Sequence, residues 1–315
     1  MSRIHAAVLG LVLLIGAAVA LAGCGSSSSS AGYFTVSERP GFSTEGHIAF
    51  GAFGGNGLKY IYSVPAGGGA AINLTPSDND ADVTDEGGFH PSYSPDGRTI
   101  VMAARRVVPN GPAASSTDLF LISAAAGDRG QLTQLTTNAW EEQQPSYSPD
   151  GTRIIYTSTQ SGNNDLWVMD ASGQNAQNLT NDPANDQWAC FNPQNANEVV
   201  FQSNRDGDTE LFVLTIGSPD PPRQLTTNTV RDEQPSWSPD GTTVLFTSNY
   251  AGDFDIWSIP AAGGAPTQVT GDARSDGYPV WDPSPGATRF AFVRDRQLWT
   301  ALPNGTGQTQ LTRTF

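Results

Sequence analysis

Hydrophobic and polar positions alternate along this chain in short runs that stop at Gly, Pro, Asn or Asp, and the runs recur in a fixed order. Six times an apolar pair stands two residues apart: Ile48/Phe50, Ile100/Met102, Ile154/Tyr156, Val199/Phe201, Val244/Phe246 and Phe290/Phe292. A period of two puts such a pair on one face of a β-strand. Each pair is followed by a second run built on an aliphatic residue and an aromatic neighbour: Ile61-Tyr62, Leu119-Phe120, Leu166-Trp167, Leu211-Phe212, Ile256-Trp257 and Leu298-Trp299. A Gly-, Asn- or Pro-rich stretch then leads to a closing aliphatic-Thr step, at Leu74, Leu135, Leu179, Leu225, Val269 and Leu311. No long stretch carries the 3.6-residue period of a helix.

A fourth element opens every set. Pro91-Ser-Tyr-Ser-Pro-Asp-Gly97, Pro145-Ser-Tyr-Ser-Pro-Asp-Gly151 and Pro235-Ser-Trp-Ser-Pro-Asp-Gly241 are near copies, and degenerate versions begin at Pro40, Ala189 and Pro279. Starts at 40, 91, 145, 189, 235 and 279 are spaced by 51, 54, 44, 46 and 44 residues, the size of a four-stranded unit. Asp-Gly predicts a tight hairpin with positive φ at both positions. The anchor proline cannot donate a ladder hydrogen bond, which assigns it to an edge strand. One such sheet leaves an apolar face wet. Six packed radially bury both faces of each. The pattern therefore predicts an all-β, six-bladed β-propeller of four-stranded antiparallel blades.

The three intact Pro-x-aromatic-Ser-Pro-Asp-Gly copies resemble the PD40, or TolB-like, β-propeller repeat, over essentially Tyr33 to Phe315. The same repeat occurs in propellers of prolyl oligopeptidase-type enzymes. The resemblance implies six closed blades and display of loops around an axial channel. It differs from the WD40 pattern, since Trp281-Asp282 sits in the hairpin slot of its repeat.

The first residues read differently. A short basic start at Ser2-Arg3 precedes an apolar run from Ala6 to Ala20, which ends in Leu21-Ala22-Gly23-Cys24. This tetrapeptide resembles a lipoprotein signal, so residues 1–23 are expected to be a removed signal peptide. Cys24 is then the lipidation site, 24–32 a Gly/Ser tether and 33–315 the propeller. Lipid on Cys24 supplies a membrane anchor without a spanning helix. An exported, membrane-anchored protein facing periplasm or cell exterior is expected, as a monomer. Cys190, left without a partner, reads as a buried, inert thiol.

Charge narrows the partners. The chain has 31 Asp and Glu against 16 Lys and Arg, a net charge of −15, and Lys59 is its sole lysine. Such a surface argues against nucleic acid and anionic lipid as electrostatic partners. It favours cations or a basic partner.

Three residues before the anchors stand Ser37, Gly88, Glu142, Asp186, Asp232 and Asp276. Propeller symmetry puts Glu142, Asp186, Asp232 and Asp276 around the channel mouth, where oxygen ligands suit calcium or magnesium. The alternative is that each acid caps backbone N–H groups of its own loop. His90, Trp188 and Tyr278, each immediately before an anchor, and Trp140, in the loop after Leu135-Thr136, lie on the same face. They read either as rim anchors for a partner or as packing between blades. The Arg105–Thr117 insertion lengthens a loop of that face. Asp78-Asn-Asp80-Ala-Asp82 begins like an EF-hand but has Val83 where glycine belongs and Phe89 where the bidentate glutamate belongs. Asp206-Gly-Asp208 reads as a hairpin turn.

No nucleophile motif, phosphate loop or histidine cluster emerges. The expectation is a non-catalytic envelope module that binds a protein or peptidoglycan-associated partner through the face around the channel. Two alternatives stay open: a metal-assisted glycan lyase or hydrolase using the channel-mouth carboxylates, and a cation-binding structural surface lipoprotein.

Overall fold

The computed structural model describes residues 39–53, 59–75, 90–105, 116–125, 132–284 and 288–312. The signal segment, Cys24, the tether, Ser37, Gly88, the Asp78–Asp82 run and residues 106–115 of the insertion lie outside the described residues. Among the described residues no helix is long and apolar enough to cross a membrane.

Six sheets are present, each of four antiparallel strands consecutive in sequence. In blade five they are Asp232–Trp237, Thr243–Ser248, Asp255–Pro260 and Thr267–Gln268, from the axis outward. The inner strands of the other blades are Gly41–Phe42, Ser92–Tyr93, Glu142–Tyr147, Asp186–Asn192 and Asp276–Trp281. The predicted apolar pairs fill the second strands, and all twelve residues are at most 2% exposed.

The core is six cores, one at each seam between blades. Alternation along a second strand explains it, because neighbours point to opposite faces. Ile154 and Tyr156 pack against Val101, Ala103 and Leu119 of blade two, while Ile155 between them packs against Phe191 and Phe201 of blade four. The last seam joins Phe42, Ile48 and Phe50 of blade one to Ala291, Val293 and Leu298 of blade six. Among the described residues no strand is exchanged between blades. Closure rests on that apolar seam, aided by Ser284 Oγ donating to the Thr44 carbonyl (3.0 Å) and Arg289 Nη1 to the Ala66 carbonyl (3.2 Å).

The repeat motifs have structural duties. In the Ser-Pro-Asp-Gly turns the glycine N–H donates to the serine carbonyl, as from Gly97 to Ser94 at 2.9 Å. The serine hydroxyl donates to the aspartate carboxylate at 2.6 Å in Ser94–Asp96 and Ser148–Asp150, and that carboxylate accepts the N–H two residues on. These bonds hold Asp150 down to about 2. Only the glycine takes positive φ (70° at Gly97 and Gly151). The expected pair of positive-φ residues is corrected to a type I turn closed by one left-handed glycine, as proline at its second position requires. The closing threonines act alike in all six blades: Thr75, Thr136, Thr180, Thr226, Thr270 and Thr312 accept the N–H of the third strand's aliphatic residue through Oγ1. Cys190 is free and buried, and its Sγ donates to the Pro235 carbonyl at 3.4 Å.

Candidate functional site

The inner strands bend just before their anchors. His90, Gln144, Trp188, Gln234 and Tyr278 all have positive φ, 33° in His90 and 56–57° in the rest. The ladder slips beside them in blades three to six. This is a β-bulge, which inserts a residue and re-aims its side chain. A non-glycine residue in this conformation costs of order 1–3 kcal/mol. Five equivalent ones mark a feature held in place by its surroundings.

The bulge turns alternate blades toward the axis differently. His90, Trp188 and Tyr278 come from blades two, four and six. The His90 and Trp188 ring centroids are 4.8 Å apart in an edge contact, and those of Trp188 and Tyr278 are 5.5 Å apart. Side chains of non-adjacent blades meet this way only on the axis, so these rings cross it as a septum. The packing is aromatic, as one expectation held, but the rings meet across the axis and not within one seam. Burial, with Lys59 and Arg39 nearby, lowers His90 to about 3, so it stays neutral at ordinary pH. Trp140 is separate from them and 43% exposed.

Glutamines of blades three and five brace the septum. Gln144 Oε1 accepts the Trp188 N–H (3.1 Å) and the Thr157 hydroxyl (2.8 Å). Gln234 Oε1 accepts the Tyr278 N–H and the Thr247 hydroxyl, each at 2.9 Å. Their position, one before the anchor proline, was a signal available in the sequence, though an isolated glutamine there suggests no chemistry.

Below the septum lies a cavity of about 360 Å³, lined from all six inner strands. Its walls are aromatic (Phe42, Tyr93, Tyr147, Phe191, Trp237, Trp281), with Ser146, Ser236 and Cys190 between them. Pro95, Pro149, Pro193, Pro239 and Pro283 of the hairpin turns surround the other end. It therefore reaches the Ser-Pro-Asp-Gly face, opposite the one expected to carry the mouth.

Glu142, Asp186, Asp232 and Asp276 do not line this cavity. All four are at most 1% exposed and sit where the inner strand begins to pair with the second. Arg205 clasps both oxygens of Asp186 (2.9 and 2.8 Å), and Arg294 both oxygens of Asp276 (2.5 Å each). Glu142 and Asp232 instead accept from the amides of Asn138 (2.6 Å) and Asn228 (2.7 Å). Burial raises Glu142, Asp186 and Asp232 above the usual carboxylate range. The predicted capping of loop N–H groups falls to a different set. Glu210 accepts the Asn228 N–H (2.5 Å) and Asp165 the Asp182 N–H (3.2 Å).

That second set was missed in the sequence. It comprises Asp118, Asp165, Glu210 and Asp255, each one residue before a third-strand aliphatic and each at most 5% exposed. Three of them face a first-strand acid of the next blade: Asp118 raises Glu142, Glu210 meets Asp232, and Asp255 lies near Asp276. The signal was an acid at one repeat position in four of six blades. Among the described residues, three metal-ligating side chains converge in one place, Asp206, Asp208 and Glu210, with ligand atoms within 4.8 Å. The four expected acids do not converge on one ion.

Comparison with known proteins agrees with this architecture. The TolB β-propeller domain model, PD40, matches residues 85–194 and 189–315. An uncharacterized protein of Agrobacterium fabrum is 23% identical over 209 residues, covering 64% of either chain. The Tol-Pal system protein TolB of Francisella tularensis subsp. mediasiatica is 25% identical over 198 residues, 61% of this chain and 42% of its own length. The chain thus spans under two thirds of each of these relatives. The solved structure of a protein described as a TolB of Agrobacterium tumefaciens superposes with a TM-score of 0.59 at 21% identity, covering 71% of this chain and 79% of that one. With six four-stranded blades, the repeated Ser-Pro-Asp-Gly turns and a family match running to the last residue, the chain belongs to the TolB β-propeller family.

Proposed function

We propose that this chain is a non-catalytic binding module of the cell envelope, held to a membrane by lipid on Cys24, which takes a short protein segment into its axial cavity. One observation carries the reading: a cavity of about 360 Å³ with aromatic and proline walls, drawn from all six inner strands and bounded by the His90–Trp188–Tyr278 septum. Pockets of this size hold a few side chains. The cavity then takes the tip of the segment while the turns around it meet the rest of the partner. Rigid strands at its walls keep the ordering cost of binding low. A relative named for the Tol-Pal system supports an envelope protein as the partner.

Ser146 lines the cavity and is half-buried. Ser146→Trp fills that space, whereas Thr267→Trp adds the same bulk on an exposed outer strand. In-cell crosslinking followed by pull-down is expected to recover an envelope protein with the parent chain and Thr267→Trp, and at least 10-fold less with Ser146→Trp. Equal recovery from both variants removes the cavity from the binding surface. Cys24→Ser is expected to move the protein from the membrane to the soluble exported fraction; retention on the membrane removes the lipid anchor. Turnover of envelope glycans that a chelator abolishes would replace the binding role with the lyase or hydrolase alternative.

A further inference from the structure

The loop between the second and third strands of blade four reads Asp206-Gly207-Asp208-Thr209-Glu210. Its three carboxylates converge within 4.8 Å, outside the axial cavity. An exposed acidic turn needs no ligand, because water solvates it. This one is not fully exposed: Glu210 is 0% exposed and Asp208 half-buried. Glu210 Oε2 and Asp208 Oδ2 are shut off from solvent and accept no hydrogen bond.

A further carboxylate stands behind Glu210 in the next blade. Asp232, 1% exposed, comes within hydrogen-bonding reach of Glu210. One Asp232 oxygen is taken by Asn228 at 2.7 Å, while Oδ1 is buried and without a donor. Two buried carboxylate oxygens of the loop, on Asp208 and Glu210, thus lack a proton donor, and Asp232 lies behind Glu210, outside the convergent group. Leaving such groups unpaired is costly, so buried charge is normally matched by a counter-charge or a metal. The arginines close in sequence are committed elsewhere: Arg205 to both oxygens of Asp186, and Arg231 to Glu233.

We propose that this loop of blade four holds one calcium ion, ligated by Asp206, Asp208 and Glu210, with the Asp232 carboxylate of blade five as a further negative charge behind Glu210. The donor set is all oxygen, which selects a hard cation. Calcium accepts the irregular arrangement of mono- and bidentate carboxylates, whereas magnesium demands a tight octahedron and retains waters. Two neighbouring blades provide contrast. Where blade four has Asp206 and Asp208, blade five has Ala251 and Asp253, and blade three has Ser161 and Asn163. The ion fixes the loop between the second and third strands of blade four, so its binding free energy adds to the stability of that blade.

The test is calorimetric titration of calcium chloride into the full chain after treatment with EGTA, alongside thermal unfolding. One calcium per chain is expected, with a higher unfolding midpoint in calcium than in EGTA and a much smaller shift in magnesium. Asp206→Asn alters an exposed side chain and Asp208→Asn a half-buried one, so both are expected to fold; each weakens calcium binding at least 10-fold. Asp253→Asn, at the matching place in blade five, leaves it unchanged. No heat and no midpoint shift with the parent chain overturns the proposal, and Glu210 and Asp232 then share a proton in place of a metal. Binding that survives Asp206→Asn and Asp208→Asn but fails with Asp253→Asn overturns it equally. Should either loop variant fail to fold, the other alone decides, with the same loss of calcium binding expected.

Discussion

Blades five and six carry an aspartate at the same step of the repeat, Asp232 and Asp276, equally buried and in the same pairing register. Their surroundings differ in kind. Opposite Asp232 the second strand offers Ser248; opposite Asp276 it offers Arg294, itself 1% exposed. Arg294 donates to both Asp276 oxygens and to Gln308, and reaches Asp272 at 3.0 Å. Blade six also joins its second and third strands by the two-residue turn Asp295-Arg296, with φ of 50° and 60°, where blade five has a six-residue loop. A buried charge in this fold can be met by a matching arginine or left beside amides and other acids. Blade six takes the first course and blade five the second.

The comparison is broken most directly by Arg294→Ala. It strands Asp276 in a dry seam, and urea unfolding at pH 7 is expected to show a loss of about 3–5 kcal/mol. A loss below about 1 kcal/mol would mean that Asp276 gains no net benefit from the pairing. The double variant Arg294→Ala/Asp276→Asn recovers a large part of the loss, because the stranded charge is gone. Arg205→Ala repeats the experiment in blade four, where the guanidinium is 19% exposed and water can enter behind it. A loss of about 2 kcal/mol is expected there. Matching losses from the two arginine variants would show that exposure does not set the cost.

The last variant changes a slope and not a level. Burial, with Asp276, Asp272 and Asp253 nearby, raises Asp255 to about 6 from an ordinary 3.8. The folded protein therefore holds this proton more tightly than the unfolded chain. Stability from it is present below pH 3.8 and lost as pH rises through 6. Asp255→Asn is expected to flatten the fall in unfolding free energy between about pH 4 and 6. An unchanged slope would place the titration elsewhere. His90 works in the opposite sense: its folded pKa of about 3 lies below the ordinary 6.5, so its contribution is present above 6.5 and fades as pH falls toward 3.

Much of the fold was legible because each repeat carries its own local chemistry. Ser238, Pro239, Asp240 and Gly241 make their turn among themselves, and Thr270 closes its own blade on the Ile256 N–H. Neighbours in sequence are neighbours in space, so a motif written six times is a blade built six times. The site was less legible. Glu142, Asp186, Asp232 and Asp276 stand at one repeat position, and symmetry alone points them toward a common centre. The pairing register buries them beside their own and adjacent strands instead. Which acids go without a counter-charge depended on Arg205 and Arg294, residues that break the repeat and so leave no periodic signal.

The sequence by itself determined six blades, their strand order and the places of their turns, since those depend on hydrophobic period, proline, glycine and hydrogen bonds a few residues apart. Tertiary structure alone decided that His90, Trp188 and Tyr278 meet on the axis, that the cavity reaches the hairpin face, and that Asp232 joins Glu210 across a seam. The physical reason is closure. Only when the last blade packs on the first do residues far apart in the chain share one small, dry volume, where a bulge of one residue or a single arginine settles which of them touch.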